Sequence, residues 1–243
     1  MSSYAYKNKV HRETKAKKIL AILKEEVNVE ESSLLDIGTG SGHIASFLSD
    51  YCSNIVSVDL SDQRVVSQGY EFVEIKSEKL PFDNDSFDVV ISNQVIEHIP
   101  NQELHVSEIF RILSPRGIVY SATPNKYWPR ETHTGLYFLG YLPRGIANAY
   151  MQWRRGNDWD VYPLSYWELK SFFNTRGKVR DYTTKVLKNP EKFHLIEHRN
   201  ITTVVKYFPE MILKFLTPFL PSFIILVENS EPKRDNKRIE PTP

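Results

Sequence analysis

A glycine-rich turn constrains this chain more than any other feature of its sequence. Leu34, Leu35 and Ile37 predict a short strand over residues 33–37, and Gly38, Gly40 and Gly42 follow at alternate positions. A helix is predicted from His43. Glycines at such a turn permit positive φ and a close approach of a ligand to the backbone, while the amides at the helix start favour a negative group. The turn therefore predicts a ligand site at the end of a strand.

Short apolar runs and helical patterns alternate along the first half of the chain. Strands are predicted at residues 33–37, 54–59, 71–75, 87–92 and 117–123, and helices at 43–51, 62–67 and 102–113. This alternation indicates a parallel sheet with helices on both faces. Val and Ile occupy both parities of the strands, as expected when both faces are covered. The predicted fold class is therefore α/β.

The pattern changes after Pro124. Residues 124–163 hold three of the four tryptophans and five tyrosines, which predicts an aromatic-rich insertion folded over one edge of the sheet. Further along, a helix is predicted at 164–174 and strands at 179–187 and 222–228. The polar, proline-bearing stretch 231–243 is predicted to be a disordered tail. We expect a single domain over residues 1–230.

Composition excludes several classes of protein. With 41% hydrophobic and 25% charged residues, the 243-residue chain is typical of a soluble globular protein. A net charge of +1 gives no bulk electrostatic argument for nucleic acid. Cys52 is the single cysteine, which fits a reducing compartment, and the N-terminus lacks the apolar core of a signal peptide. We expect a cytoplasmic protein.

A second acidic residue ends the next predicted strand. Asp59 follows Gly42 by 17 residues, and a carboxylate there can accept hydrogen bonds from both hydroxyls of a ribose. The alternative role is a cap for the helix predicted at 62–67. The dinucleotide pattern G-x-G-x-x-G would need glycine where His43 stands, so a nicotinamide-dependent oxidoreductase is disfavoured.

These motifs together resemble the class I S-adenosylmethionine-dependent methyltransferases, in the branch often called type 11. The resemblance covers about residues 30–125 and rests on D-x-G-x-G-x-G from Asp36, then Asp59, E-x-L-P-F from Glu78, and S-N-x-x-x-E-H-I from Ser92. It implies a Rossmann-like, seven-stranded and mostly parallel sheet whose last strand is antiparallel. It also implies S-adenosylmethionine as the cofactor.

The resemblance assigns a role to each motif. It implies that the loop after the first strand holds the methionine part of the cofactor, through Asp36, Gly38, Thr39, Gly40 and Gly42. Asp59 is implied to hold the ribose, Leu60 to pack on adenine, Ser77 and Glu78 to bound the adenine edge, and Asn93 and Gln94 to line the cofactor near its sulfonium. Lys76 stands where the family has an aspartate, so a backbone carbonyl or Glu78 is implied to accept from the adenine amino group.

A basic helix is predicted at residues 7–24, before the first strand. Enzymes of this class often cover the cofactor with such a helix, and Arg12 or Tyr6 is then a candidate partner for the methionine carboxylate. The alternative is a solvated surface helix that packs through its apolar stripe.

A catalytic base is needed only if the acceptor must lose a proton. His133 follows the fifth strand, at the edge where ligands bind in open α/β sheets, and is the candidate; the alternative is a structural histidine. Resemblance to the ubiquinone-pathway O-methyltransferases would place a metal on E-x-x-E-H. Because Gln94 replaces the first acid, no metal is predicted, and Glu97 and His98 are expected to order the following turn.

The predicted function is methyl transfer from S-adenosylmethionine to a hydroxyl of a small-molecule, sugar or lipid-linked acceptor. The alternative is a catalytically inactive module of the same fold that binds S-adenosylmethionine or S-adenosylhomocysteine. Nucleic acid is not a predicted partner, and nothing indicates the oligomeric state. Residues 211–227 are the most apolar stretch, but Lys214, Pro218 and Pro221 interrupt it. We expect no membrane span there; peripheral membrane contact and core packing remain open.

Overall fold

The computed structural model describes residues 3–195, 205 and 207–230, with side chains from residue 10 onward. The predicted tail from residue 231 and the side chain of Tyr6 lie outside these residues. The helices are α1 (Ser3–Leu23), α2 (His43–Leu48), α3 (Gln102–Ile112), α4 (Arg144–Arg155), α5 (Tyr166–Asn174), α6 (Thr183–Lys188) and α7 (Glu210–Leu216). The strands are β1 (Ser33–Ile37), β2 (Asn54–Asp59), β3 (Glu71–Glu74), β4 (Phe87–Asn93), β5 (Leu113–Pro124), β6 (Gly177–Asp181) and β7 (Ser222–Asn229).

The seven strands form one sheet in the order β3-β2-β1-β4-β5-β7-β6. Strands β1 to β5 are parallel, and β7 runs antiparallel to both of its neighbours. This confirms the predicted mostly parallel sheet with its last strand reversed. Because Pro124 at the end of β5 pairs with Ser222 at the start of β7, the connections after β5 and before β7 lie at the same edge, here called the carboxyl edge.

Two apolar clusters cover the two faces of the sheet. On one face α3 and α5 contribute Ile109 and Phe173, and on the other α1 and α2 contribute Ile19 and Leu48, all fully buried. Neighbouring residues of β4 point to opposite clusters, since Val90 belongs to the first and Val89 to the second. A strand covered on both faces needs apolar residues at both parities, which explains the sequence pattern.

Two predicted elements are wrong. Residues 62–67 are irregular, not helical, because the amides of Val65 and Val66 donate to the carbonyl of Ser41, a hydrogen bond outside any helical pattern. The strand predicted over 179–187 ends at Asp181. The Asp181 carboxylate then accepts from the backbone amide of Thr183 at 2.8 Å and so favours the start of α6.

The aromatic-rich insertion builds a small core of its own. Six side chains form it: Leu136, Leu139, Ala147, Met151, Trp159 and Val161. The Arg144 guanidinium lies against the rings of Trp159 and Tyr162 and donates to the carbonyl of Val161 at 2.5 Å. Cation–π stacking and charge-assisted hydrogen bonds therefore hold α4 against the following chain.

The apolar stretch 211–227 divides into two parts. In β7, Phe223, Ile225 and Val227 are buried in the sheet, as the core-packing alternative predicts. Before β7, Met211 and Phe215 are 81% and 75% exposed. Within the ranges that the structure describes, no helix is long and apolar enough to cross a bilayer.

Candidate functional site

The loop between β1 and α2 follows a left-handed path through its glycines, whose φ values are +77°, +51° and +79° at Gly38, Gly40 and Gly42. A Cβ at Gly42 would lie 2.0 Å from the carbonyl oxygen of Val66. A Cβ at Gly40 would meet one atom within 4 Å among the described residues, Nη1 of Arg12 at 3.9 Å. Packing therefore requires glycine at 42, whereas the backbone at 40 borders open space that a ligand can enter.

Asp59, at the end of β2, is tied to this loop. Its Oδ2 accepts from the Gly40 amide at 2.8 Å and its Oδ1 from the Leu60 amide at 2.7 Å. Because residues 62–67 are not helical, the alternative role as a cap for that helix is wrong. Each carboxylate oxygen has a further lone pair, so the carboxylate can still accept hydrogen bonds from two hydroxyls.

Asp36 lies beneath the loop, near the end of β1, and is 2% exposed. Burial raises the pKa of its carboxyl to about 7, and the charge of neighbouring Asp59 adds to the rise. Thr39 is also buried; its hydroxyl donates to the carbonyl of Val58 at 3.1 Å and shares a hydrogen bond with Ser57 at 2.5 Å. A cation placed beside Asp36 would favour its ionised form.

The other residues implied to contact the cofactor follow the neighbouring strands at the carboxyl edge. Leu60, directly after β2, is 62% exposed, while Ser77 and Glu78 follow β3. Asn93 ends β4. Gln94 adopts φ +62°, and its backbone amide donates to the carbonyl of Ala122 at 2.7 Å. The structure thus places every implied residue at one edge of the sheet.

Helix α1 reaches this edge through its basic residues. Arg12 lies beside the glycine loop at Gly40, and the positive charge of Lys15 acts on Glu97 after β4. The C-terminal half of α1 is held by the buried core, through Ile19 and Leu23. Helix α1 thus reaches the loop that the resemblance assigns to the cofactor.

Glu97 and His133 come together although they are distant in sequence. Glu97 is fully buried, and its Oε2 accepts from the Thr123 hydroxyl at 2.9 Å. Its Oε1 has no hydrogen-bond partner within the described part of the chain and lies 3.9 Å from Nε2 of His133. His98 joins them, with its ring centroid 4.7 Å from that of His133. One carboxylate oxygen of Glu97 and one ring nitrogen from each histidine, atoms that could bind a metal ion, lie within 4.8 Å of one another.

Burial controls the charge of this cluster. It raises the pKa of Glu97 to about 7, against smaller lowering effects of a backbone hydrogen bond and of Thr123. It also lowers the pKa of His98, and the neighbouring His133 lowers it further. A carboxyl that titrates near neutral pH beside an imidazole can hold or release a proton during a reaction.

The backbone around His133 is fixed by Glu131. The Glu131 carboxylate accepts from the amides of His133 and Thr134 and from the Thr134 hydroxyl, at 3.0, 2.6 and 2.7 Å. Sequence reasoning selected His133 but assigned Glu97 to ordering a turn. The pairing of the two depends on how the insertion folds back over β5, and no local spacing in the sequence indicates that.

Comparison with known proteins agrees with this geometry. Residues 35–121 match the family model for a methyltransferase domain. A probable S-adenosylmethionine-dependent methyltransferase of Mycolicibacterium smegmatis is 36% identical over 98 residues, which are 38% of each chain. A ubiquinone biosynthesis O-methyltransferase of Paramagnetospirillum magneticum is 28% identical over 130 residues, which are 48% of this chain and 51% of that one. The chain thus matches about half or less of these relatives' length.

The fold agrees as well. The YcgJ protein of Bacillus subtilis superposes with a TM-score of 0.56 at 16% identity, over 89% of this chain and 99% of that chain. Residues 35–121 therefore match the methyltransferase domain family, and over this part the chain is similar to S-adenosylmethionine-dependent methyltransferases.

Proposed function

We propose that the protein transfers a methyl group from S-adenosylmethionine to a hydroxyl of a small-molecule, sugar or lipid-linked acceptor. One observation carries the hydroxyl assignment: His133 lies beside the buried carboxyl of Glu97, at the same edge as the glycine loop. The similarity to a protein named as an O-methyltransferase supports it.

The residues at the carboxyl edge fit the cofactor. Asp59 has lone pairs for the two ribose hydroxyls, and the open space at Gly40 admits the methionine part. Asp36 favours a neighbouring ammonium, and Arg12 is placed to meet a carboxylate. The exposed side chain of Leu60 offers an apolar surface to adenine.

The remaining assignments follow the same edge. We assign Thr39, Gly38 and Gly42 to the shape of the loop that holds the methionine part. Ser77 and Glu78 bound the adenine, and Asn93 and Gln94 line the region of the sulfonium. S-adenosylmethionine, when bound, supplies an activated methyl group on a positively charged sulfur.

His133 acts as the base in this proposal. Its Nε2 faces Oε1 of Glu97, which leaves Nδ1 to accept the proton of the acceptor hydroxyl. The imidazolium that forms is stabilised by Glu97, because an ionised carboxylate nearby favours the charged ring. The hydroxyl oxygen becomes a stronger nucleophile as its proton moves to His133.

Exposed apolar side chains in α7 and in the turn after it support a lipid-linked acceptor and a peripheral membrane contact. Met211, Phe215 and Phe219 recur every fourth residue and are 81%, 75% and 61% exposed. Phe219 lies at the carboxyl edge, because the side chain of Asn125 after β5 donates to the carbonyls of Pro218 and Leu220. Lys214 on the same helix pairs with Glu210 at 2.7 Å.

Two measurements test the function in sequence. Thermal unfolding with S-adenosylmethionine, S-adenosylhomocysteine and NAD in parallel tests the cofactor, and we expect only the two adenosyl ligands to raise Tm. Transfer of a radiolabelled methyl group to catechol, a simple sugar and a polyprenyl phosphate sugar then tests the acceptor class. No Tm shift with either adenosyl ligand would contradict the cofactor assignment. Binding without transfer to any hydroxyl probe would favour the inactive binding module.

A further inference from the structure

The insertion after β5 presents a surface that the proposed chemistry does not use. We propose that α4 and the aromatic loop before it dock on a bilayer containing anionic lipids, as an interfacial amphipathic helix. This surface lies within residues 124–163, separate from the exposed apolar side chains in α7 and in the turn after it. The lipid-linked acceptor that it implies rests on the proposed function, whereas binding to vesicles requires no catalysis.

The outer side of α4 is apolar. Ile146, Ala149 and Trp153 follow one another at spacings of three and four residues and therefore share one helix face. All three are exposed, with Ile146 at 58% and Trp153 at 77%. The exposed face of a helix in a soluble protein normally carries polar residues. The apolar stripe therefore indicates that another surface binds there.

The opposite side of α4 is already buried against the rest of the insertion. Ala147 and Met151 are 0% and 2% exposed and pack in the core of the insertion with Leu139 and Trp159. The exposed stripe is therefore not the face through which α4 packs in the core of the insertion. It is a second apolar side on a helix that is fixed in place by the first.

A positive charge lies beside the stripe. Of the three arginines in α4, Arg144 and Arg155 donate to the carbonyls of Val161 and Thr134 within the insertion, whereas Arg154 lies against the stripe. The Arg154 guanidinium lies 5.3 Å from the centroid of the Trp153 ring. Interfacial helices combine arginines with tryptophan beside an apolar face, because headgroups attract the cations and the amphipathic indole sits at headgroup depth. This complementarity favours an anionic bilayer over a second copy of the chain.

A strip of exposed aromatic rings lies in the loop between β5 and α4. Neighbouring ring centroids lie 5.3 to 6.3 Å apart along Tyr127, Tyr141, Phe138 and Tyr137, and each ring is between 39% and 57% exposed. Tyrosine and phenylalanine rings suit the interface because one end is apolar and, in tyrosine, the other is polar.

The strip also adjoins the turn that follows α7. The Asn125 side chain donates to the carbonyls of Pro218 and Leu220 at 2.9 and 2.8 Å, which places exposed Phe219 beside the base of the insertion. Phe219 therefore lies at the carboxyl edge, where the insertion begins. A bilayer on this side would face the proposed acceptor site.

Sedimentation with lipid vesicles tests the proposal, with phosphatidylcholine alone and with phosphatidylcholine mixed with phosphatidylglycerol. We expect binding to the mixed vesicles and a loss of about tenfold in partitioning for Trp153→Ser. We expect roughly fivefold weaker partitioning for Arg154→Gln. Trp167→Ser, at a 57% exposed tryptophan on α5, and Arg116→Gln, at an exposed arginine at the opposite end of β5, are matched controls that we expect to bind like the wild type.

Three outcomes would overturn the proposal. The first is wild-type protein that stays in the supernatant with both kinds of vesicle. The second is an equal loss of binding in Trp153→Ser and Trp167→Ser. The third is a dimer in light scattering that Trp153→Ser converts to a monomer without any vesicle binding, which would make this face an interface between copies. Cofactor-induced Tm shifts are measured on every variant, so a failure of membrane binding is distinguishable from a failure of the proposed function.

Discussion

The carboxylate of Asp59 accepts a hydrogen bond from the backbone amide of Gly40 at 2.8 Å. This contact joins the end of β2 to the middle of the glycine loop after β1. The residue proposed to hold the ribose thereby also fixes the backbone proposed to hold the methionine part. Cofactor affinity and loop order should therefore depend on the same side chain.

Replacing Asp59 by alanine should weaken binding of S-adenosylmethionine by roughly 10- to 100-fold. The variant loses a charged acceptor, and hydrogen bonds to charged groups contribute about 1.5–3 kcal/mol. Isothermal calorimetry measures the Kd. Asp62→Ala is the matched control, because Asp62 pairs with Arg64 at the surface. Equal affinity for Asp59→Ala and the wild type would contradict the ribose assignment.

Replacing Gly42 by alanine should destabilise the protein and the site together. The new Cβ would lie 2.0 Å from a backbone carbonyl oxygen, at a φ of +79°, and such strain costs about 1–3 kcal/mol or more. Gly145→Ala is the control, because no described atom lies within 4 Å of its Cβ position. Thermal unfolding should show a lower Tm for Gly42→Ala and an unchanged or slightly higher Tm for Gly145→Ala. A loss in both variants would argue against the packing explanation.

The buried carboxyl of Asp36 should make stability depend on pH. Its pKa rises from an ordinary 3.8 to about 7 on folding, so the folded state holds the proton more tightly than the unfolded chain. The contribution of Asp36 to the free energy of unfolding should therefore be complete below about pH 4 and be lost as the pH rises through about 7, by at most about 4 kcal/mol. In urea titrations, Asp36→Asn should reduce this dependence of the free energy of unfolding on pH. Asp50→Asn, at an exposed carboxyl, should leave it unchanged. An unchanged slope in Asp36→Asn would exclude this residue as its source.

The same carboxyl should make cofactor affinity depend on pH. A ligand ammonium favours the ionised form, so S-adenosylmethionine should bind more tightly as the pH rises through about 7. Calorimetry across this range should show the trend in the wild type and lose it in Asp36→Asn. A trend that persists in the variant would assign the effect to another group.

Replacing His133 by asparagine should lower kcat by about 10²- to 10⁴-fold, the usual contribution of a general base. The Kd for S-adenosylmethionine should not change, because the proposed role is towards the acceptor. Single-turnover methyl transfer measures the rate of the chemical step, and calorimetry measures the Kd for S-adenosylmethionine. His98→Asn is the control for general disturbance of the cluster. If both variants lost activity equally, the base would not be His133 alone.

The sequence indicates the first five strands and the glycine loop well, because both depend on local signals. Buried parallel strands are continuous apolar runs, and the positive φ values at Gly38 and Gly42 demand residues without a side chain. The irregular path of residues 62–67 was missed, since it depends on hydrogen bonds to the Ser41 carbonyl across the loop. The strand predicted over 179–187 failed where the Asp181 side chain starts α6.

The contact of Glu97 with His133 could not be predicted from local sequence patterns, for a different reason. Glu97 carries no apolar signature, yet it is fully buried, and its partner lies in an insertion whose helix α4 was not predicted. Such a contact is decided by how the insertion packs back on the sheet. Sequence periodicity describes single elements and says little about packing between them.

The reversed direction of β7 has a consequence for how such a protein can diversify. Because β7 starts beside the end of β5, two connections emerge at the carboxyl edge in the half of the sheet that holds β5 and β7, whereas the loops after β1 and β2 emerge at the same edge in the other half. Changes in length or polarity of the first pair would remodel the acceptor wall and leave the Asp59 region intact. New substrates can thus be adopted through two segments that carry none of the proposed adenosine contacts.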